Sequence, residues 1–243
     1  MTSLPRLHDF KVLTFDCYGT LIDWESGIWA ALQPLIRAGN LKIERDGALE
    51  TFARHESTQE AATPEMGYGE LLAVVHARLA REWGVKADGA LSKAFGGSVA
   101  DWPAFADSAT SLAYLKRHYK LAILSNIDRA SFKASNRKLG VDFDAVYTAE
   151  DIGSYKPDAR NFAYMLRHLR AKLGLEKKDI LHTAQSLFHD HVPAKKAGLA
   201  SAWIDRRQGL AGSGATMPTA ARPAVDFHFP SMAALVEAHR AEV

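Results

Sequence analysis

Along the chain, short apolar runs alternate with stretches in which apolar residues recur every three or four positions. Lys11-Val-Leu-Thr-Phe-Asp16 has the pattern of a short buried strand, apolar and β-branched residues stopped by Tyr18-Gly19-Thr20. Comparable runs follow at Leu121–Ser125, Ala145–Thr148, Ile180–Thr183 and Ser201–Ile204. Between them, Ser108–His118, Arg129–Leu139 and Ala159–Leu173 carry helical periodicity. Strands alternating with helices of this length predict βαβ units and a parallel sheet with helices on both faces. Reactive groups in such sheets gather at the carboxyl ends of the strands.

Residues 23 to 103 break the alternation. They hold amphipathic patterns at Ser26–Arg37, Arg45–Glu60 and Tyr68–Trp83, and no strand pattern. The fold predicted is α/β: a doubly wound, Rossmann-like parallel sheet core with an inserted helical cap domain over its active end. The core takes residues 1–20 and 103–243 and the cap residues 21–102, with hinges at Leu21–Asp23 and Asp101–Pro103. The Gly/Ala/Ser-rich segment Gly209–Thr216 reads as a mobile surface loop.

Composition narrows the partners. The 243 residues are 47% hydrophobic and 24% charged, ordinary for a globular protein with a sizeable core. A formal net charge of +2, with no dense run of Lys and Arg, does not suggest a nucleic-acid surface. One cysteine, Cys17, excludes an internal disulfide and fits a reducing compartment. With no signal-like apolar segment at the N-terminus and no run long enough to span a bilayer, the expected location is cytoplasmic, away from membranes.

Polar signals stand at or just after four successive strands. Asp16 opens the first loop, Ser125-Asn126 the second, Lys156-Pro157 follows the third, and Gln185-Ser186 with Asp190 follows the fourth. Each alone has an ordinary explanation as a turn former, a helix cap or a solvated lysine. In one sheet they would converge on a single pocket, and their joint order favours a site. Here the chain resembles the haloacid dehalogenase superfamily, through Phe15-Asp16-Cys17-Tyr18-Gly19-Thr20-Leu21, Ile123-Leu124-Ser125-Asn126, Tyr155-Lys156-Pro157-Asp158 and Ala184 to Asp190. The resemblance covers the whole chain, insert included, and implies an aspartate nucleophile that forms a covalent ester.

Most members of that superfamily are magnesium-dependent phosphatases, and two departures argue against that chemistry. A phosphatase needs a carboxylic acid two residues after the nucleophile to protonate the leaving oxygen, and Tyr18 stands there. The metal needs further carboxylates near the last motif, where Ala184, Gln185 and Ser186 are all neutral. Halide leaves without a proton, and a metal would only screen the attacking carboxylate. The form Asp16-x-Tyr18-Gly19-Thr20 resembles the (S)-2-haloacid dehalogenase branch (type II). That resemblance implies hydrolysis of short 2-haloalkanoic acids to 2-hydroxy acids, with no metal and no organic cofactor, and leaves room for a homodimer.

The resemblance also implies roles. Lys156 neutralises charge around Asp16; Thr20 and Ser125 hydrogen-bond the nucleophile and the substrate carboxylate; Asp190 orients or deprotonates the hydrolytic water. Asn126, Tyr18, Ser186 and His189 belong to the substrate and halide side, and Arg54 is the candidate cap arginine for the leaving halide. Phe162 replaces an expected pocket tyrosine, and Gln185-Ser186-Leu187 replaces Ser-Ser-Asn. The imidazoles added nearby raise fluoroacetate as a substrate.

His182, His189 and His191 also invite a zinc reading. In an extended loop His189 and His191 share one side and Asp190 the other, so they do not converge on one ion; an imidazole that orients Asp190 is the better expectation. Cys17 is expected to be a buried structural thiol, and Trp24 a candidate pocket residue. Two rivals stay open: a magnesium-dependent phosphatase with an unusual ligand set, and a catalytically silent binding module.

Overall fold

The computed structural model describes residues 5–86 and 88–243. β1 (Val12–Phe15) is followed by four helices of the insert, α1 (Trp24–Ala38), α2 (Arg45–Ala62), α3 (Tyr68–Glu82) and α4 (Gly89–Gly97). The chain then returns through α5 (Ser108–Leu115), β2 (Lys120–Ser125), α6 (Arg129–Leu139), β3 (Ala145–Thr148), the short α7 (Ala149–Ile152) and α8 (Ala159–Leu173). β4 (Ile180–Ala184), α9 (Val192–Lys196), β5 (Ala200–Ile204), β6 (Phe227–Phe229) and α10 (Met232–Glu242) complete it.

The six strands form one parallel sheet in the order β3-β2-β1-β4-β5-β6. All four residues of β1 are buried because helices cover both faces. Val12, with Ala122, Leu124 and Ile180, packs against Phe162, Met165 and Leu169 of α8. Leu13 and Phe15 belong to the opposite, larger cluster, which also holds Leu112 of α5, Leu235 of α10 and the apolar faces of the insert helices. The alternation is the two-residue period of a strand. Phe15 lies level with Ile123 of β2 on one side and Thr183 of β4 on the other. The chain order reverses at this point of the sheet, so the loops after β1, β2 and β4 open a crevice at the carboxyl edge.

The insert is all-helical, as the pattern predicts. Its first helix begins at Trp24 rather than Ser26, because the Asp23 carboxylate accepts a hydrogen bond from the Ser26 amide at 3.1 Å and caps the turn. Helix α4, strand β6 and helix α10 add to the expected elements. The segment expected to be a mobile loop over Gly209–Thr216 instead folds back on α1. Arg207 pairs with Glu25 at 2.7 Å, the Ala215 amide donates to the same carboxylate at 3.0 Å, and Ala215 and Thr216 are buried. Among the described residues no helix is long and apolar enough to cross a membrane.

Candidate active site

The loop after β1 is built to return a side chain to its own start. Asp16 continues the ladder, its amide donating to Thr183 O at 3.2 Å, and the amides of Leu21 and Ile22 both donate to Cys17 O. Gly19 makes the turn at φ +92°; a Cβ there would also stand 3.0 Å from Trp24 Nε1 and 3.2 Å from Gln185 Oε1. Thr20 therefore lies back over Asp16 and donates to its Oδ2 at 3.0 Å, while accepting from the Gln185 amide at 2.9 Å.

Lys156 joins the strand ends. Its ammonium donates to Asp16 Oδ1 at 2.9 Å, Asp190 Oδ1 at 2.6 Å and Leu124 O at 2.9 Å. These three acceptors use all three of its protons. Asn126 fixes the lysine's backbone: its Oδ1 accepts from the Lys156 amide at 2.6 Å and its Nδ2 donates to Lys156 O at 3.0 Å. On the far side, His182 Nε2 meets Asp190 Oδ1 at 3.0 Å and its Nδ1 meets Thr14 Oγ1 at 2.9 Å. Asp190 Oδ2 and Ser125 Oγ are buried without a partner, and both residues line a small cavity of about 30 Å³ shared with Asp16, Lys156, Trp24 and Tyr68.

The electrostatics follow from one cation serving two carboxylates. Burial alone would strip the Lys156 ammonium of its proton, but Asp16 and Asp190 outweigh it and hold its pKa above the ordinary lysine value. Burial likewise opposes charge on Asp190, yet Lys156 and His182 win and hold that carboxyl far below the usual range. Asp16 carries the remaining strain. Burial, aided by the charge of Asp190, pushes its carboxyl up despite Lys156 and Thr20. Asp190 is thus the permanently charged, weakly basic member, and Asp16 the more basic one.

Six of the sequence-selected residues, Asp16, Thr20, Ser125, Asn126, Lys156 and Asp190, meet at this edge. Ser186 stands beside them as the cap of a π-helical turn, Leu187–His191, with its Oγ accepting from the His189 amide at 3.0 Å. That turn corrects the extended loop expected here. His191 is turned away to donate from Nε2 to Ala184 O at 2.9 Å, and His189 lines the cavity. Burial holds both imidazoles down at about 4, so they are neutral near pH 7. His182 is the imidazole that reaches Asp190. Tyr18 borders the cavity, but its hydroxyl is taken by Ser135 Oγ at 2.6 Å and is not free to serve a halide. Cys17 is buried, and burial raises its thiol well above the ordinary value.

Arg54 is the residue the structure does not bring to the site. Phe52, Glu56 and Glu60 are spaced four apart and form the inward stripe of α2. Arg54 lies two residues from each neighbour on that stripe, about 200° around the helix. Its side chain is 54% exposed and pairs with Glu82 at 2.8 Å. Arg54→Ala is expected to leave turnover within about twofold and stability within about 1 kcal/mol, as for a surface ion pair; steady-state kinetics and thermal unfolding check it. In its place α2 and α3 of the insert contribute Glu56, Glu60 and Tyr68, none of which was expected from the sequence.

An ammonium bridges the two strand-end carboxylates, Tyr18 and Ser186 offer no further charged oxygen beside them, and among the described residues no group of three or more His, Cys, Asp or Glu side chains is placed to hold a metal ion.

A family model for haloacid dehalogenase-like hydrolases matches residues 10–183. The chain belongs to that family and is a hydrolase. No curated protein matches its sequence. Among solved structures it is similar to a defluorinating L-2-haloacid dehalogenase, with 20% identity, TM-score 0.76 and 95% of each chain covered. It is also similar to the L-2-haloacid dehalogenase of Xanthobacter autotrophicus with chloropropionic acid covalently bound, at 20% identity and TM-score 0.74, covering 96% of this chain and 100% of that one. The HAD-hydrolase YfnB of Bacillus subtilis, bound to magnesium, matches at 20% identity and TM-score 0.74 over 97% and 100% of the two chains. At these identities the likeness concerns the fold.

Proposed function

We propose that this hydrolase cleaves the carbon–halogen bond of short 2-haloalkanoic acids, with Asp16 as covalent nucleophile and no metal. The observation that carries the reading is the ammonium of Lys156 held between Asp16 and Asp190, with a tyrosine rather than an acid two residues after the nucleophile. Thr20 and Lys156 orient the Asp16 carboxylate, which attacks C2; the C–X pair leaves with the halide and an aspartyl ester remains. Water then adds to the ester carbonyl and the acyl–oxygen bond breaks, releasing a 2-hydroxy acid and restoring Asp16. Asp190, charged throughout, polarises and aims that water with its unpartnered Oδ2. Ser125 Oγ is a donor for the substrate carboxylate, and the small cavity favours two- and three-carbon acids, fluoroacetate among them. The solved dehalogenases of the same fold support this choice, and residues 21–102 are taken as the cap that closes the cavity.

The test is a release assay over fluoro-, chloro- and bromoacetate and both 2-chloropropionate enantiomers, beside phosphate esters with magnesium. Halide release unaffected by EDTA is expected; ester hydrolysis that EDTA abolishes would overturn the reading. The pH profile adds a sign. Because the Asp16 carboxyl is raised, kcat/KM falls on acidification at a pH above the ordinary carboxylate range near 4. An acid limb at or below that range contradicts the assignment.

A further inference from the structure

Helix α2 turns two carboxyl groups into the cavity from the cap side. Glu56 and Glu60 are one helical turn apart and 4% and 6% exposed. Glu56 Oε1 accepts from the Tyr68 hydroxyl at 2.6 Å, and Glu60 Oε1 accepts from Asn126 Nδ2 at 3.1 Å. Among the described residues neither pairs with a lysine or arginine. Among the described residues the basic side chain within 4 Å of the pair is His189, whose Nε2 is 3.8 Å from Glu60 Oε2 and otherwise unpartnered; that imidazole is neutral near pH 7, and Lys156 acts on Glu60 through its charge alone. Lys156 has no proton to spare. The groups facing the pair are therefore Tyr68 from α3, Asn126 after β2, Tyr155 and Lys156 after β3, His189 and Asp190 after β4, and Asp16 after β1.

Two ionised glutamates would add two negative charges to a wall that already sets two carboxylates against one ammonium. In so dry a site such charge is relieved by keeping protons. Burial pushes Glu56 up to about 8, and burial with the charge of Glu56 pushes Glu60 well above its ordinary value. A protonated carboxyl is a hydrogen-bond donor. Independently, Ser125 Oγ is buried, unpartnered and borders the same cavity, a second donor. Among the described residues the cavity has O–H donors on both walls and no free cation, a setting that suits a small anion.

We propose that Glu56 and Glu60 form an uncharged carboxyl pair that receives the departing halide, Glu60 Oε2 donating the hydrogen bond that a cap cation was expected to supply. The inference rests on Asp16 attacking carbon. As the C–X bond breaks, the halide takes the bond's electron pair and accepts the Glu60 O–H, whose proton stays on the glutamate. The pair is thus specific for halide and haloacid anions while it is neutral, and repels them once charged.

The experiment measures the KM for chloroacetate and the inhibition constant of bromide from pH 6.5 to 9.5, with intact protein and with the variant E56Q/E60Q. In the unaltered protein both constants rise above pH about 8, approaching about tenfold per pH unit as the pair ionises. The glutamine variant keeps N–H donors but has no carboxyl to ionise, so its bromide constant does not rise above pH about 8. Glu60→Leu, checked for folding by circular dichroism, weakens bromide at every pH. A flat profile in the unaltered protein overturns the proposal, as does a folded E56Q/E60Q protein whose bromide constant still rises with pH, which would place the titrating group elsewhere. Mass spectrometry after bromoacetate treatment separates the layers. With the treatment run as a single turnover in ¹⁸O-labelled water, label in Asp16 with a flat profile sinks the carboxyl pair alone, and labelled product with unlabelled Asp16 sinks the nucleophile reading with it.

Discussion

Replacing Asp16 by asparagine is expected to abolish halide release, by about 10⁴-fold or more, as loss of a covalent nucleophile does. The amide matches the carboxylate in shape: its Oδ1 still accepts from Lys156, and its Nδ2 donates to the Thr20 hydroxyl where the carboxylate accepted from it, so the fold survives. The ammonium keeps Asp190 at 2.6 Å and Leu124 O at 2.9 Å. Stability should shift modestly while turnover disappears, and thermal unfolding beside kinetics separates the two. Residual activity above about one percent would place the nucleophile elsewhere.

Lys156→Met should cost both function and stability. Among the described residues it removes the one charge partner of Asp16 and one of two partners of Asp190, in a place where the lysine is 1% exposed. Breaking a buried pair from one side typically costs about 3–5 kcal/mol. The Asp16 carboxyl, already raised by burial, rises further without its cation. A group whose folded pKa exceeds its unfolded value stabilises below the unfolded pKa and loses that contribution as pH climbs through the folded one. The variant should therefore be most stable near the ordinary carboxylate range around pH 4 and weaken toward neutrality. Asp190, whose folded pKa is lowered in the parent, acts oppositely there: its contribution is present above the ordinary range and lost on acidification. Melting temperature against pH reads the change, and turnover should fall roughly 10²–10³-fold with the loss of charge stabilisation. A variant with parental stability across pH 4–8 would contradict the charge account.

The core was legible because parallel strands covered on both faces must be apolar throughout, which is what Val12–Phe15 and Leu121–Leu124 display. β6 was not, being three residues long with no buried member. Four strand-end signals sufficed to assemble Asp16, Ser125, Lys156 and Asp190, since the sheet itself carries them to one edge. Beyond the sheet the reading weakened for physical reasons. The π-helical turn at Leu187–His191 has no periodic signature, so the imbalance between His189, in the cavity, and His191, tied to Ala184 O, was hidden. The family resemblance pointed to a cap arginine at Arg54, whereas helical geometry from buried Phe52 points to the residues four and eight further on. Glu56 and Glu60 stand there, and on a polar helix glutamates read as solvated until their neighbours are known. The signal was present in the spacing; its meaning came only from what packs above it.

Asp16 as covalent nucleophile is tested most directly by one turnover in ¹⁸O-labelled water with protein in excess over chloroacetate. The account predicts that the glycolate formed carries no label, because its new oxygen comes from Asp16, and that the label appears in the Asp16 carboxylate of the recovered peptide. Labelled glycolate with unlabelled Asp16 after that first turnover would mean that water attacks the substrate carbon itself, and would contradict the account.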